Sequence, residues 1–382
     1  MPFLTQEKLA VMAFDHKYAS SGCSVLDGLI MQKFWNYIVA FLPLKHDPGA
    51  TFHWSAPNTM TLGGLMCTFI PTMVLVYYCP DLESTAPTWV YVLNAAGIFI
   101  YQTLDALDGK QARRTGSSSS FGELFDHGCD ALSCILGTLG SAVCLQLGYS
   151  WSSFILMMCA CVAFCGAHIQ SYYKGSLTFG LFDVTEIQFL GIFLYMMCAV
   201  GDANFWNTEL YGVPLKLVPA WFTIVLTSLI ILGNMYVTST RKPVSYASTK
   251  VHEIWLGPLL EIGLATGWFA SSRHLFNGYD FVLFMLAIGV LNAAHALSLI
   301  IAHMAQAAVG WQVLLRFLPL ALCATASISQ LVPVRQAIHM CLALNLVIFF
   351  HYSISVCYQI STFLGIRIFK VGAPTAKDTR KN

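Results

Sequence analysis

Five of the nineteen carboxylic acids in this chain fall between positions 105 and 130. They are Asp105, Asp108, Glu123, Asp126 and Asp130, in the segment DALDGKQARRTGSSSSFGELFDHGCDA. Asp105 and Asp108 are three residues apart and share one helical face; Asp126 and Asp130 are four apart and share another. Gly116 and the four serines after it predict a turn, which stands the two helix ends antiparallel with four carboxylates facing each other. Such a group repels itself unless divalent cations intervene. An all-oxygen donor set suits magnesium, manganese or calcium rather than zinc, so Asp105, Asp108, Asp126 and Asp130 are the candidate metal ligands. Gly109, Ala112 and Gly122 each lie one turn from an aspartate and leave room for a flat group to approach the backbone. Arg113 offers a planar fork that matches phosphate oxygens. Together these residues describe a pyrophosphate site. Its chemistry would be in-line displacement at phosphorus, with two metal ions clamping the attacking and leaving oxygens.

A displacement by an alcohol needs a base, because a free hydroxyl is a poor nucleophile near neutrality. His127 lies four residues after Glu123 and three before Asp130. It is a candidate general base with Glu123 orienting its ring, while the bland reading has the Glu123–His127 pair merely tying the loop. Asp130 is the competing base.

The elements that carry these residues are apolar. Of 382 residues, 57% are apolar and 10% charged, against about 25% charged in a soluble domain, so the bilayer is the expected solvent. A net charge of +1 gives no field for nucleic acid. The 13 cysteines form no CxxC pair and read as reduced packing residues. The first 25 residues lack an apolar core, so no signal peptide is expected, and no lipidation motif is present.

Runs near bilayer length predict ten spans: 61–79, 88–104, 131–147, 152–170, 185–201, 217–238, 254–271, 281–303, 312–329 and 337–360. The expected fold is all-α and polytopic. Sixteen of the twenty lysines and arginines fall on the side that holds both termini and the acidic cluster. Lys216, Arg273 and Arg335 fall on the other, and Arg316 sits near a helix start. That asymmetry makes the first side cytosolic. Residues 26–44 put Leu29, Ile30, Phe34, Tyr37, Ile38, Phe41 and Leu42 on one face and Gln32, Lys33 and Asn36 opposite, which suits a helix lying in the cytosolic interface. Glu261, in mid-span, should face another helix or a cavity. His295, His303 and His351 read as packing or interhelical bonding.

The residues Asp105, Asp108, Gly109, Ala112, Arg113, Gly122, Asp126 and Asp130 resemble the signature of the CDP-alcohol phosphotransferases, DxxDGxxARx8GxxxDxxxD, with every gap kept. The runs GKQARRT and GELFDHGCDA, and the length with ten spans, resemble the eukaryotic choline and ethanolamine phosphotransferases more narrowly. The resemblance is strong over 90–135 and weak in the last four helices. It implies a cytosolic N-terminal segment over 1–45, a six-helix catalytic core over 46–240, four additional helices over 241–362 and a basic tail over 363–382. It implies two magnesium ions, with manganese an alternative, held by the aspartates, and Asp126 bridging. Asp105, Gly109, Ala112, Arg113 and Gly122 would line the CDP site. Residues 56–61, APNTMT, resemble the start of the family's first core helix and add Asn58 near the nucleotide. The implied reaction moves phosphocholine or phosphoethanolamine from CDP-choline or CDP-ethanolamine to diacylglycerol, in the endoplasmic reticulum or Golgi, by a homodimer. Three alternatives are a phosphatidylinositol-type synthase, a cation-coupled transporter and an inactive scaffold. The intact signature argues against the last. The position of the acids at one membrane face, with no repeat, argues against a transporter.

Overall fold

The computed structural model describes residues 3–16, 19–43, 54–178, 180, 182–201, 203–240, 244–246, 248–366 and 368–369. Among these the chain is almost wholly helical, as expected. Short α1 (Gln6–Ala10) and α2 (Gln32–Ala40) precede α3 (Pro57–Tyr78), α4 (Thr88–Thr115), α5 (Ser120–Cys144) and α6 (Trp151–Lys174). Then come α7 (Val184–Val200), α8 (Leu217–Thr240), α9 (Val251–Ser272) and α10 (Asp280–Met304). The last are α11 (Leu318–Ile328), which continues a 3-10 stretch at Trp311–Phe317, and α12 (Val334–Leu364). Two pairs of two-residue strands, Ser20–Ser21 with Leu177–Thr178 and Glu209–Leu210 with Val213–Pro214, are the only extended pairing among the described residues. Each expected span falls on one helix from α3 to α12. Seven of these ten are long and apolar enough to cross a bilayer; α5, α7 and α9 are the other three.

Local chemistry sets the boundaries. Pro57 opens α3 at a position whose N–H would be unbonded anyway. Gly116 ends α4 in the left-handed region at φ 66°, and the Ser119 hydroxyl caps α5 by accepting from the Gly122 N–H at 3.1 Å. This is the expected turn. The split between α6 and α7 also falls where the sequence placed it. Gly175 closes α6, and Asp183 opens α7 in a capping box with Glu186.

Helix α10 is the centre of the molecule. All of its residues except Leu283 and Leu286 are buried, and it packs on α5, α6 and α12. Phe154, Phe269, Phe276, Phe281 and Phe284 cluster at one end of it, with Phe154 and Phe269 stacked at 4.6 Å. Asn292 donates to Glu261 Oε2 at 2.9 Å, so the mid-helix acid of α9 does face a neighbouring helix. His295 lies against Gly257, His303 is 3.0 Å from the Tyr246 hydroxyl, and His351 packs on Phe3. These histidines are packing and bonding residues, as expected. All thirteen cysteines are free.

Helix α2 corrects part of the interfacial reading. Leu29, Ile30, Tyr37 and Phe41 are exposed, but Met31, Trp35 and Val39 are buried, against Met60 of α3 and Leu107 of α4. Gln32 and Asn36 do not face water alone; both accept from Lys110 Nζ at 2.8 Å. Arg114 donates to the Val39 carbonyl. Lys110 and Arg114 therefore strap α2 onto the end of α4. Of the basic residues counted above, Lys17, Lys45, Arg241, Lys242, Arg367 and the tail lysines and arginine (Lys370, Lys377, Arg380, Lys381) lie outside the described residues.

Helices α3 and α4 come backbone to backbone near Pro71. Pro71 cannot bond the carbonyl of Cys67 one turn earlier. That carbonyl bulges toward α4 and meets Gly97, where an added Cβ would sit 2.2 Å from the oxygen. Only a bare Cα fits there. Gly97→Ala should therefore lower stability by about 1–3 kcal/mol, because neither backbone can yield. Thermal melting in detergent should drop for Gly97→Ala and stay unchanged for Gly263→Ala, where an added Cβ meets nothing within 4 Å.

Candidate active site

The turn at Gly116 folds α5 back along α4 and brings their acidic ends together. Asp108 is buried, and the Thr61 hydroxyl of α3 donates to its Oδ2. Tyr101 donates to Asp130 Oδ1 at 2.8 Å. His127 Nδ1 is 3.5 Å from Asp130 Oδ2. Asp130 and Asp108 act electrostatically on Asp105, and Asp108, Asp130 and Asp105 act on Asp126. All four aspartates thus lie within reach of one another's charge.

Candidate ligand atoms of Asp126, His127 and Asp130 lie within 4.8 Å of one another. Asp126 Oδ1 is buried with no hydrogen-bond partner. A carboxylate oxygen in that state costs free energy unless a cation or a donor meets it. The donor set, carboxylates with one imidazole, fits a divalent cation. Asp105 and Asp108, the other two expected ligands, line the same cavity. Glu123 also has a partner outside its own helix. Its Oε2 lies 2.8 Å from His16 Nε2, far away in sequence.

One cavity of about 1280 Å³ collects every candidate catalytic, nucleotide-binding and metal-binding residue of the sequence analysis. Asn58, Asp105, Asp108, Gly109, Ala112, Arg113, Gly122, Glu123, Asp126, His127 and Asp130 all line it. Arg113 folds back over Gly109, where a Cβ would lie 3.3 Å from its Nη1. Asn58 is already engaged, donating to the Ile368 carbonyl at 2.6 Å. The same cavity is also lined by Leu156, Ala160, Ala163 and Phe164 of α6 and by Leu190 and Leu194 of α7, with Thr138 and Ser141 of α5 and Thr223 and Thr227 of α8 among them.

Among the lining residues that sequence reasoning did not single out are His16, Thr61, Tyr101 and His168. Tyr101 had a signal, since it precedes Asp105 by one turn on the same face. Thr61 had a weaker one, three residues after Asn58. His16 and His168 had none. His168 packs edge-on to His127, with ring centroids 5.2 Å apart.

Removing the orphan carboxylate should remove the cation. In Mn²⁺ titrations followed by electron paramagnetic resonance, Asp126→Asn should abolish high-affinity binding. Tyr101→Phe, which strips a supporting hydrogen bond from Asp130, should weaken it by about 10- to 100-fold.

Comparison with known proteins agrees with this geometry. Residues 54–204, which contain α3 to α7, match the CDP-alcohol phosphatidyltransferase family. Cholinephosphotransferase 1 of Xenopus laevis is 34% identical over 95% of this chain and 90% of its own length. That of Danio rerio is 34% identical over 94% of this chain and 93% of its own. That of Gallus gallus is 42% identical over 53% of this chain and 58% of its own. The match covers the acidic cluster, the helices that hold it and nearly all of the rest, and this chain belongs to the CDP-alcohol phosphatidyltransferase family.

Proposed function

We propose that this protein transfers phosphocholine, phosphoethanolamine or both from the CDP-alcohol to diacylglycerol, releasing CMP. The observation that carries the reading is the single cavity lined both by the aspartate–histidine cluster and by apolar side chains of α6 and α7. A water-soluble nucleotide suits the first and an acyl-bearing alcohol the second. The near full-length likeness to proteins named cholinephosphotransferase 1 supports the choice of head group over an inositol-type acceptor.

Two magnesium ions, or manganese in their place, would be held by Asp105, Asp108, Asp126 and Asp130, and when bound would supply the positive charge that neutralises the pyrophosphate. Arg113 would bind phosphate oxygens through its fork, and Gly109, Ala112 and Gly122 would let the nucleotide lie against α4 and α5. Asn58 reaches the nucleotide once its bond to Ile368 is exchanged. His127 would take the proton from the diacylglycerol hydroxyl. A carboxylate at Nδ1, here Asp130, favours the tautomer with its lone pair on Nε2. The hydroxyl oxygen then bonds to the phosphorus that carries the aminoalcohol. The bond from that phosphorus to the bridging oxygen breaks, and CMP leaves with the electron pair. Trp35, Tyr101 and Phe164 in the cavity wall provide aromatic faces for a cationic head group.

The same reading has a homodimer in the endoplasmic reticulum or Golgi, with the active site and both termini on the cytosolic side. The cytosolic orientation rests on the excess of basic residues at that end, and the dimer and compartment on the family resemblance alone.

The purified protein, supplied with diacylglycerol and magnesium, should release CMP from CDP-choline, CDP-ethanolamine or both. Chelation should stop the reaction and magnesium restore it. Asp126→Ala should lower the rate by at least about a thousandfold. His127→Ala should lose CMP release while still binding Mn²⁺ if the histidine is the base, whereas loss of both would move the base to Asp130. Folded protein that releases no CMP from either donor would overturn the reading.

A further inference from the structure

The N-terminal segment is built into the cavity rather than appended to it. Met12, Ala13 and His16 line the cavity directly. Leu4, Leu9 and Met12 are buried in a small core with Phe121 and Leu124 of α5, Leu297 and Ile301 of α10, and Val356 of α12. The Leu4 N–H donates to Gln359 Oε1 at 3.0 Å, and Phe3 packs edge-on to Tyr352 at 5.1 Å. This anchor fixes where the segment ends. It ends at His16, whose Nε2 lies 2.8 Å from Glu123 Oε2, with both side chains largely shielded from solvent. The ring of His303 packs on His16 at 5.4 Å and is itself held by the Tyr246 hydroxyl. Glu123 and His127 also share a water-sized niche of about 10 Å³, walled by His168 and His303.

We propose that His16 is a positioning residue for the transfer reaction, holding the Glu123 carboxylate beside His127, and that the segment after α1, through His16, completes the active site. A glutamate one helical turn from the base has several rotamers available to it. A donor fixed from a separate element selects one of them, and the field at His127 is set by that choice. The hydrogen bond described for the Glu123 carboxylate comes from outside residues 105–130. The inference rests on the transferase reading above.

The test uses the full-length protein in detergent with diacylglycerol, magnesium and the better CDP-alcohol, and compares His16→Ala, His16→Gln, Glu123→Gln and the His16→Ala/Glu123→Gln pair. His16→Ala should lower kcat by about 10- to 100-fold with KM for the CDP-alcohol within about twofold. His16→Gln, which keeps an N–H donor near the same place, should recover most of kcat. In the Glu123→Gln background, His16→Ala should add little, because the two act through one contact. Full kcat in His16→Ala overturns the proposal. So does an undiminished His16 effect in the Glu123→Gln background, or a His16→Gln variant that melts like wild type but is as slow as the alanine. Absence of CMP release by the wild type would instead sink the transferase reading.

Discussion

The carboxylates of α4 and α5 repel one another, and whatever keeps those two helix ends together must work against that repulsion. The turn at Gly116 and Ser119 joins the helices but does not clamp them. The clamp comes from outside. Thr61 of α3 holds Asp108, Tyr101 ties α4 to Asp130 across the pair, and α2 is strapped over the end of α4 by Lys110 and Arg114. On the other flank, α10 packs the length of α5. Each of these contacts involves a helix that carries no member of the acidic motif or a residue outside it. The acidic segment is therefore short in sequence and large in what it requires.

This explains why the cluster was legible and its supports were not. The aspartates, the glycine turn and the serine cap are local: spacing of three or four residues and one left-handed glycine fix them without knowledge of the fold. The break between α6 and α7 was readable for the same reason, since Gly175 and Asp183 are end signals. Thr61 is 47 residues from Asp108 and His16 is 107 from Glu123, so no periodicity links them. Helical spacing put Glu123 beside His127, and the tertiary contact with His16 adds a partner that spacing could not show. The buried face of α2 was misread because amphipathicity identifies two faces but not which neighbour covers either. Met31, Trp35 and Val39 met α4, and Gln32 and Asn36 found a lysine.

The last four helices had no role in the motif, yet the structure gives them a physical one. Helix α10 is the most enclosed helix of the chain, and α12 packs along it. Arg316, between them, donates to Ala294 and Ser298 of α10 and lies 4.0 Å over the ring of Tyr352 in α12. That joint supports the small core in which the N-terminal segment and the acidic half of α5 meet. A chain without α10 and α12 would leave Phe121 and Leu124 with no partners on that side.

The unpartnered Asp126 oxygen has a thermodynamic consequence as well as a chemical one. A cation that settles against it binds the folded chain and finds no comparable site in the unfolded one. By mass action it shifts the folding equilibrium, by about 2.7 kcal/mol when present at a hundredfold excess over its dissociation constant. That is a sizeable share of the 5–15 kcal/mol that typically separates folded from unfolded protein. The ion pool of the compartment then acts on how long the molecule survives as well as on how fast it works. A cell short of the ion would hold fewer intact copies, and not merely idle ones.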